Sequence, residues 1–167
     1  MRRFKALDIA NLYIDLANSI PGDYIDNLKL NKICYYAQAW SCVKLGHPLF
    51  EDEIQAWDYG PLIPDVYHTY KICGDRRIAE PSYHVDESLL TSDELTLITD
   101  VYLTYGKYTS VALMNKTHEP GSPWAAVYEN RANNPIPLDL MKNYFENSNE
   151  LEVMVPNLKP DKVVSYA

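Results

Sequence analysis

One early segment of the sequence is apolar around most of a helical circumference. One face of this helix carries apolar residues that recur at helical spacing, namely Leu30, Ile33, Ala37 and Trp40. Cys34, Tyr35 and Tyr36 carry the apolar surface around to the other sides. Because a helix of this kind is stable only when neighbours cover it on several sides, the segment predicts a central, well-buried helix.

Amphipathic spacing and capping signals predict further helices on both sides of this central one. Residues 5–18 form the first, and the residues expected to open the later ones are Pro64, Thr91, Thr109, Pro123 and Leu138. Thr91 and Glu94 have capping-box spacing, so the helix they start is the most firmly marked.

Between the central helix and Pro64 the pattern changes. Prolines leave little room for a helix there, and Ile54 and Ala56 alternate with polar or aromatic neighbours, as in a short strand. Residues 75–90 and 134–137 are predicted to be connections. We therefore expect a mainly α fold, a compact helical domain of about six to seven helices, with a short β segment or small β pair after the central helix.

The charge balance restricts the class of partner. The chain carries 23 acidic and 15 basic residues, a net charge of −8, and its basic clusters are small, at Arg2, Arg3 and Lys5 and at Arg76 and Arg77. Phosphate-directed binding needs a larger basic patch, so we expect no nucleic-acid partner. The acidic charge keeps the chain soluble or attracts basic partners.

Three features of the sequence predict that the protein lies in the cytoplasm. The three cysteines, Cys34, Cys42 and Cys73, have neither metal nor redox spacing and are expected to be reduced thiols. Polar residues such as Asp8 and Asp15 interrupt the N-terminal segment, which excludes a signal peptide. No apolar run approaches membrane-spanning length, so no membrane association is expected.

A search for catalytic patterns finds none. His118 and Glu119 begin like a zinc-protease motif, but Pro120 follows and no second histidine stands at the required spacing. The acidic run Glu51–Glu53 suits either a cation or a solvated loop, and Cys34 has apolar neighbours that make it inert. We predict no enzyme, no catalytic residue, no metal and no cofactor. An enzyme with an unrecognised site stays as an alternative.

Three segments in a fixed order carry a resemblance to a known family. They are Leu28–Trp40, Pro48–Tyr67 and Thr117–Trp124. Together they resemble the Panacea antitoxin domain, the SocA-like or GepA-like, phage-associated family, and the Ala-Trp-x-Tyr-Gly-Pro element ending at Pro61 is their most specific part. Cys34, Ala39 and Leu62 are mild departures. The resemblance covers residues 5–146 and leaves residues 147–167 as a C-terminal tail of unassigned structure.

The resemblance implies an antitoxin that binds a cognate protein toxin, encoded by an adjacent gene, and keeps it inactive. One branch of the family instead acts as a proteolytic adaptor that delivers its toxin to a ClpXP-type protease, which would be a second partner. Other members lie in prophages and are linked to phage defence.

Neutralisation by binding needs an exposed, partly apolar face with aromatic anchors. The predicted partner-binding residues are Tyr35, Tyr36, Trp57, Asp58, Tyr59 and Tyr67. The residues predicted to hold the structure of the motifs are Trp40, Gly60, Pro61, His118, Pro123 and Trp124. For the tryptophans, including Trp57, a core position is the alternative. Acidic side chains at Glu51–Glu53 and Asp58 suit a basic toxin surface.

Overall fold

The computed structural model describes residues 4–151. Within that range the helices are α1 Ala6–Ser19, α2 Asn27–Lys44, α3 Pro64–Tyr70, α4 Ser92–Tyr105, α5 Ser110–Thr117, α6 Pro123–Val127 and α7 Leu138–Glu146. The strands are β1 Gln55–Trp57, β2 Gly60–Leu62 and β3 Asn134–Pro135, and two short 3-10 turns cover Lys71–Cys73 and Glu87–Leu89. The predicted mainly α fold class is confirmed.

Helix α2 lies at the centre of the molecule. It starts at Asp26, whose carboxylate accepts the Lys29 backbone N–H at 2.8 Å, and it packs against α1, α3, α4, α5, α7 and β2. All of its residues from Lys29 to Cys42 are buried, polar ones included. The prediction of a buried central helix is therefore confirmed.

The buried polar side chains of α2 attach the segment that follows the helix. The Gln38 side chain accepts the Leu49 backbone N–H at 2.8 Å and donates to the Phe50 carbonyl at 2.7 Å. About two turns earlier on α2, the Asn31 side-chain oxygen accepts the Ile63 backbone N–H at 2.9 Å. These bonds fix both ends of the stretch that contains β1 and β2.

The strands form one small antiparallel sheet in the order β2-β1-β3. In the β1–β2 hairpin Trp57 pairs with Gly60, which leaves a two-residue turn. The third strand was predicted only as a rigid connection. It pairs through Gln55 with Pro135, and the Ile136 N–H donates to the Ile54 carbonyl at 2.8 Å. Two residues are too few to produce an alternating pattern, so this strand is not predictable from periodicity.

Tyrosine and tryptophan side chains fill much of the core and find polar partners there. The Tyr13 hydroxyl donates to the Ile98 carbonyl at 2.8 Å. The Trp40 indole N–H donates to the Tyr105 hydroxyl at 2.8 Å, and that hydroxyl donates to the Glu150 carboxylate at 2.6 Å. Each ring thus buries its apolar body without leaving its polar tip unpaired.

The prediction of a C-terminal tail falls only in part on the described residues. Leu151, the last of them, is buried, and residues 152–167 lie outside the described range. Between residues 4 and 151, no helix has the length and apolarity that a membrane span requires.

Candidate functional site

The turn between β1 and β2 projects from the body of the protein. Tyr59 stands at its tip with 67% of its surface exposed, beside the exposed Asp58. Gly60 follows with φ of +107°, a conformation that side-chain-bearing residues rarely adopt. Its neighbour Pro61 is buried. The glycine therefore permits the sharp reversal that presents Tyr59.

Aromatic side chains from outside the sheet brace this turn. The Trp124 indole N–H donates to the Trp57 carbonyl at 2.7 Å, and the Tyr128 hydroxyl donates to the Asp58 carboxylate at 2.6 Å. The Trp124 ring is stacked between His118 and Tyr128, with centroids at 3.8 and 4.3 Å. The column of rings holds the turn from one side.

Helix α6, which carries Trp124, is itself fixed at its start. The Ser122 hydroxyl accepts the Ala125 backbone N–H at 3.2 Å and donates to the Thr117 carbonyl at 2.9 Å. Pro123 occupies the first helical position and is buried, where its missing N–H costs no hydrogen bond. The short helix therefore holds Trp124 in a defined place.

A buried lysine lies directly beneath the turn. The Lys32 side chain is fully buried, and a β carbon added to Gly60 would stand 2.6 Å from Lys32 Cε and 2.8 Å from Thr117 Oγ1. Only a glycine permits so close an approach. The three sequence segments that carry the family resemblance meet at this point, since Lys32 comes from the first, Gly60 from the second and Thr117 from the third.

Two nitrogen atoms under the turn lack hydrogen-bond partners among residues 4–151. Within the described part of the chain, neither Lys32 Nζ nor His118 Nε2 has a hydrogen-bond partner. Burial lowers the pKa of Lys32 to about 7, against a smaller opposing effect of the Asp26 carboxylate. Burial, followed by the charge of Lys32, lowers the pKa of His118. Both groups are therefore disposed to be neutral near physiological pH.

Sequence reasoning missed Lys32. The available signal was a lysine in the middle of a helix that is apolar on all sides, where no face offers its amine a route to water.

A groove of about 370 Å³ runs beside the turn. Tyr59 and Tyr67 line it together with aliphatic side chains from three other elements, and these are Leu28, Leu62 and Val111. Val111 is exposed. Most of the lining surface is apolar, and the acidic side chains on it are Asp26 and Asp75.

Two further exposed apolar side chains extend this surface. Ile72, next in sequence to the groove residue Lys71, is 85% exposed. Tyr24 is also exposed, and its hydroxyl donates to the carbonyl of Asp75, which lines the groove. We call the surface formed by Tyr24, Tyr59, Ile72 and Val111 around the groove the hairpin surface. Clustered exposed apolar groups of this kind are typical of binding sites.

The predicted partner-binding residues divide between this surface and the core. Tyr59 and Tyr67 line the groove, and Asp58 is exposed at the turn. Trp57 is half-buried, because its ring packs against Tyr67 at 5.5 Å and its N–H donates to the Gln55 side chain at 2.8 Å.

The expectation of an exposed position is wrong for Tyr35 and Tyr36. Both are almost fully buried. Tyr36 stacks on Tyr105, and Tyr35 meets Phe145 edge-on at 5.9 Å. The reason is that neighbouring elements cover α2 at these two positions, whereas residues nearer its start, such as Leu28, line the groove.

Other predicted features lie away from the turn. Trp40 is fully buried in the core. The acidic run Glu51–Glu53 contributes Asp52, whose carboxylate accepts the Ala6 backbone N–H at 2.8 Å at the start of α1. Among residues 4–151 no group of three or more histidine, cysteine or acidic side chains is placed to hold a metal ion.

Comparison with known proteins identifies the family. The model of the family described as "Antitoxin SocA-like, Panacea domain" matches residues 30–125, a range that includes Lys32, Gly60, His118 and Trp124. The chain is also similar to Antitoxin SocA of Caulobacter vibrioides (strain NA1000 / CB15N), with 28% identity over 130 residues that cover 71% of this chain and 68% of that protein. No solved structure gives a significant match. The chain belongs to the SocA-like antitoxin family that is defined by the Panacea domain.

Proposed function

We propose that this protein is a cytoplasmic antitoxin that neutralises a cognate protein toxin by binding it directly through the hairpin surface. Membership of the SocA-like family supports the antitoxin role, as does the similarity to a protein named Antitoxin SocA. The same relationship supports a role that needs no catalysis.

The observation that carries the proposal is the position of Tyr59. Its ring is two-thirds exposed, yet the turn that bears it is fixed by Gly60 on one side and by Trp124 on the other. Because the backbone that carries the ring is already held in place, less ordering is needed when a partner buries the ring. Exposed rings of this kind are the usual anchors of protein interfaces.

The surroundings of Tyr59 suggest the chemistry of the toxin's contact surface. The groove offers an apolar lining to one or two aliphatic or aromatic side chains of the toxin. Carboxylates at Asp58 and Asp75 flank it, and the whole chain carries a net charge of −8. We therefore propose a toxin surface that is apolar at its centre and basic at its edge, since opposite charge speeds association.

The test is co-expression of this chain with the product of the adjacent gene. We expect that product to stop growth alone, to be harmless with this chain and to co-purify with it. Tyr59→Ser and Val111→Ser should abolish rescue and binding. Leu89→Ser, at an exposed residue that does not line the groove, should leave both unchanged.

The outcomes separate the possible modes of action. A harmless neighbour that forms no complex contradicts the proposal. A toxin whose half-life falls sharply when this chain is present indicates delivery to a protease instead. Rescue without a stable complex and with an intact toxin indicates chemistry on another molecule.

A further inference from the structure

We infer that Lys32 is a proton-sensitive support for the turn that presents Tyr59: the closed turn requires an uncharged Lys32 amine, and protonation of that amine releases the turn. Because the turn carries Tyr59, its release would regulate binding at the hairpin surface. This regulatory role rests on the proposed function.

The first argument is the close contact between the turn and the lysine. A β carbon on Gly60 would stand 2.6 Å from Lys32 Cε and 3.3 Å from Nζ. The backbone of the turn therefore covers the end of the lysine side chain and separates it from water. For the amine to reach solvent, the turn has to move.

The second argument is the set of groups that face Lys32. The carboxylate that acts on Lys32 is Asp26, the N-cap of its own helix, and it already accepts the Lys29 backbone N–H and the Ser110 hydroxyl. The next charged side chain along α2 is Lys29, and a second cation offers no compensation. Helix α5 contributes Thr117 and leads into His118, which is itself disfavoured as a cation. Strand β2 contributes no ionisable side chain. A charged amine at this place has too little compensation for its lost hydration.

The third argument is the contrast with Lys29, which is also buried and lies one turn earlier on α2. Lys29 Nζ donates to the Gly106 carbonyl at 2.6 Å. Lys32 Nζ has no such partner among residues 4–151. The two buried lysines therefore differ in whether the amine has a hydrogen-bond partner.

The direction of the effect follows from proton linkage. Burial lowers the pKa of Lys32 from 10.5 to about 7 in the closed state, so the open or unfolded state binds more protons between these values. The closed state is therefore stabilised as pH rises from about 7 to 10.5, by up to about tenfold in the equilibrium constant per pH unit. As pH falls toward 7 that advantage is lost, and the population with a released turn grows.

The experiment uses the isolated protein, so its result does not depend on a toxin. Nitrogen-15 NMR of the lysine side chains gives the midpoint at which Lys32 titrates, expected near pH 7. Urea unfolding between pH 7 and 10 is compared for the unaltered protein, Lys32→Met and Lys29→Met. We expect the unfolding constant to fall with pH by up to about tenfold more per unit in the unaltered protein than in Lys32→Met. Lys29→Met should keep the steep profile.

Movement of the turn is followed by fluorine NMR after replacing tryptophan by 5-fluorotryptophan. The Trp57 and Trp124 signals should shift with the same midpoint as Lys32, and that shift should vanish in Lys32→Met but persist in His118→Gln. Trp40, fully buried in the core, is the internal reference. A Lys32 that titrates like an ordinary lysine overturns the inference, as do parallel unfolding profiles or turn signals that ignore the lysine. Loss of toxin rescue in Tyr59→Ser is unaffected by any of these outcomes.

Discussion

The imidazole ring of His118 stacks on the indole of Trp124, with centroids 3.8 Å apart and planes 10° from parallel. Through the indole N–H this stack is connected to the Trp57 carbonyl, and so to the exposed turn. The start of α6 thereby helps to set the position of β1, since the bond joins residues that are 67 positions apart in sequence.

The Trp124 indole both stacks on neighbouring rings and donates a hydrogen bond to the Trp57 carbonyl. Replacing it by phenylalanine removes only the second of these roles. Trp124→Phe keeps a stacked ring but removes the N–H that donates to the Trp57 carbonyl, so we expect a loss of about 1–2 kcal/mol in the free energy of unfolding. Tyr128→Phe removes a bond to the exposed Asp58 and should cost less than Trp124→Phe, because water can replace a bond at the surface. Urea denaturation measures both, and equal losses would show that the bond to Trp57 has no special weight.

Gly60→Ala should be severely destabilising because two penalties add. The residue has φ of +107°, and its new β carbon would collide with Lys32 and Thr117. We expect a loss of roughly 2–5 kcal/mol. Gly46→Ala is the control, since its φ is +79° but nothing lies within 4 Å of the added carbon; strain alone should cost about 1–2 kcal/mol there. Thermal or urea unfolding that gives similar losses at both sites would contradict the close contact beneath the turn.

Asp100→Asn should stabilise the protein at neutral pH. Asp100 is buried, and one carboxylate oxygen has no partner among the described residues. Burial raises its pKa to about 6. The folded state therefore binds this proton more tightly than the unfolded state, and its contribution to stability falls as pH rises from about 4 to 6. We expect Asp100→Asn to gain roughly 1–3 kcal/mol at pH 7.

The control for this substitution is Asp93→Asn, at an exposed position in the first turn of the same helix. It should bring no gain, since a carboxylate there is favourable to the helix dipole. The measurement is the pH profile of unfolding from 4 to 8. A steep loss of stability between pH 4 and 6 that survives in Asp100→Asn would assign the effect to another group.

Asp26 connects the starts of two helices. Its carboxylate accepts the Lys29 backbone N–H at 2.8 Å and the Ser110 hydroxyl at 2.7 Å. Asp26→Ala should cost about 1–2 kcal/mol, the usual value of a lost helix cap, and Ser110→Ala should cost less. A double-mutant cycle measures their coupling, which we expect to be about 0.5 kcal/mol or more. Strict additivity would mean that the bond between α2 and α5 contributes nothing.

Features that depend on neighbouring residues were predictable from the sequence. The Thr91–Glu94 capping box forms with both of its bonds, at 3.1 and 2.9 Å. Asp26 caps the central helix, and an aspartate just before a helical run is a common start signal. These interactions are local, so the spacing of residue types is enough to specify them.

Features that depend on distant contacts were not predictable in the same way. Helix α2 has no polar face, so periodicity could not tell whether Tyr35 and Tyr36 point to a partner or to α7. Lysine ordinarily reaches water, and the packing of Gly60 on Lys32 shows how this side chain is closed off from it. The groove beside Tyr59 is likewise assembled from several separate elements, namely α2, the β1–β2 hairpin, α3, the 3-10 turn after α3, and α5, none of which indicates it alone.

The central position of α2 has a consequence for the lifetime of the protein. Five other helices and one strand are packed on this helix, and none of them can detach without uncovering part of its apolar surface. Detachment of one of these helices is therefore nearly as unfavourable as complete unfolding, whereas the proposed release of the turn between β1 and β2 leaves the helices in place. Proteases that cut transiently opened chains will find few such forms, so degradation of this domain is expected to be set by its global unfolding equilibrium.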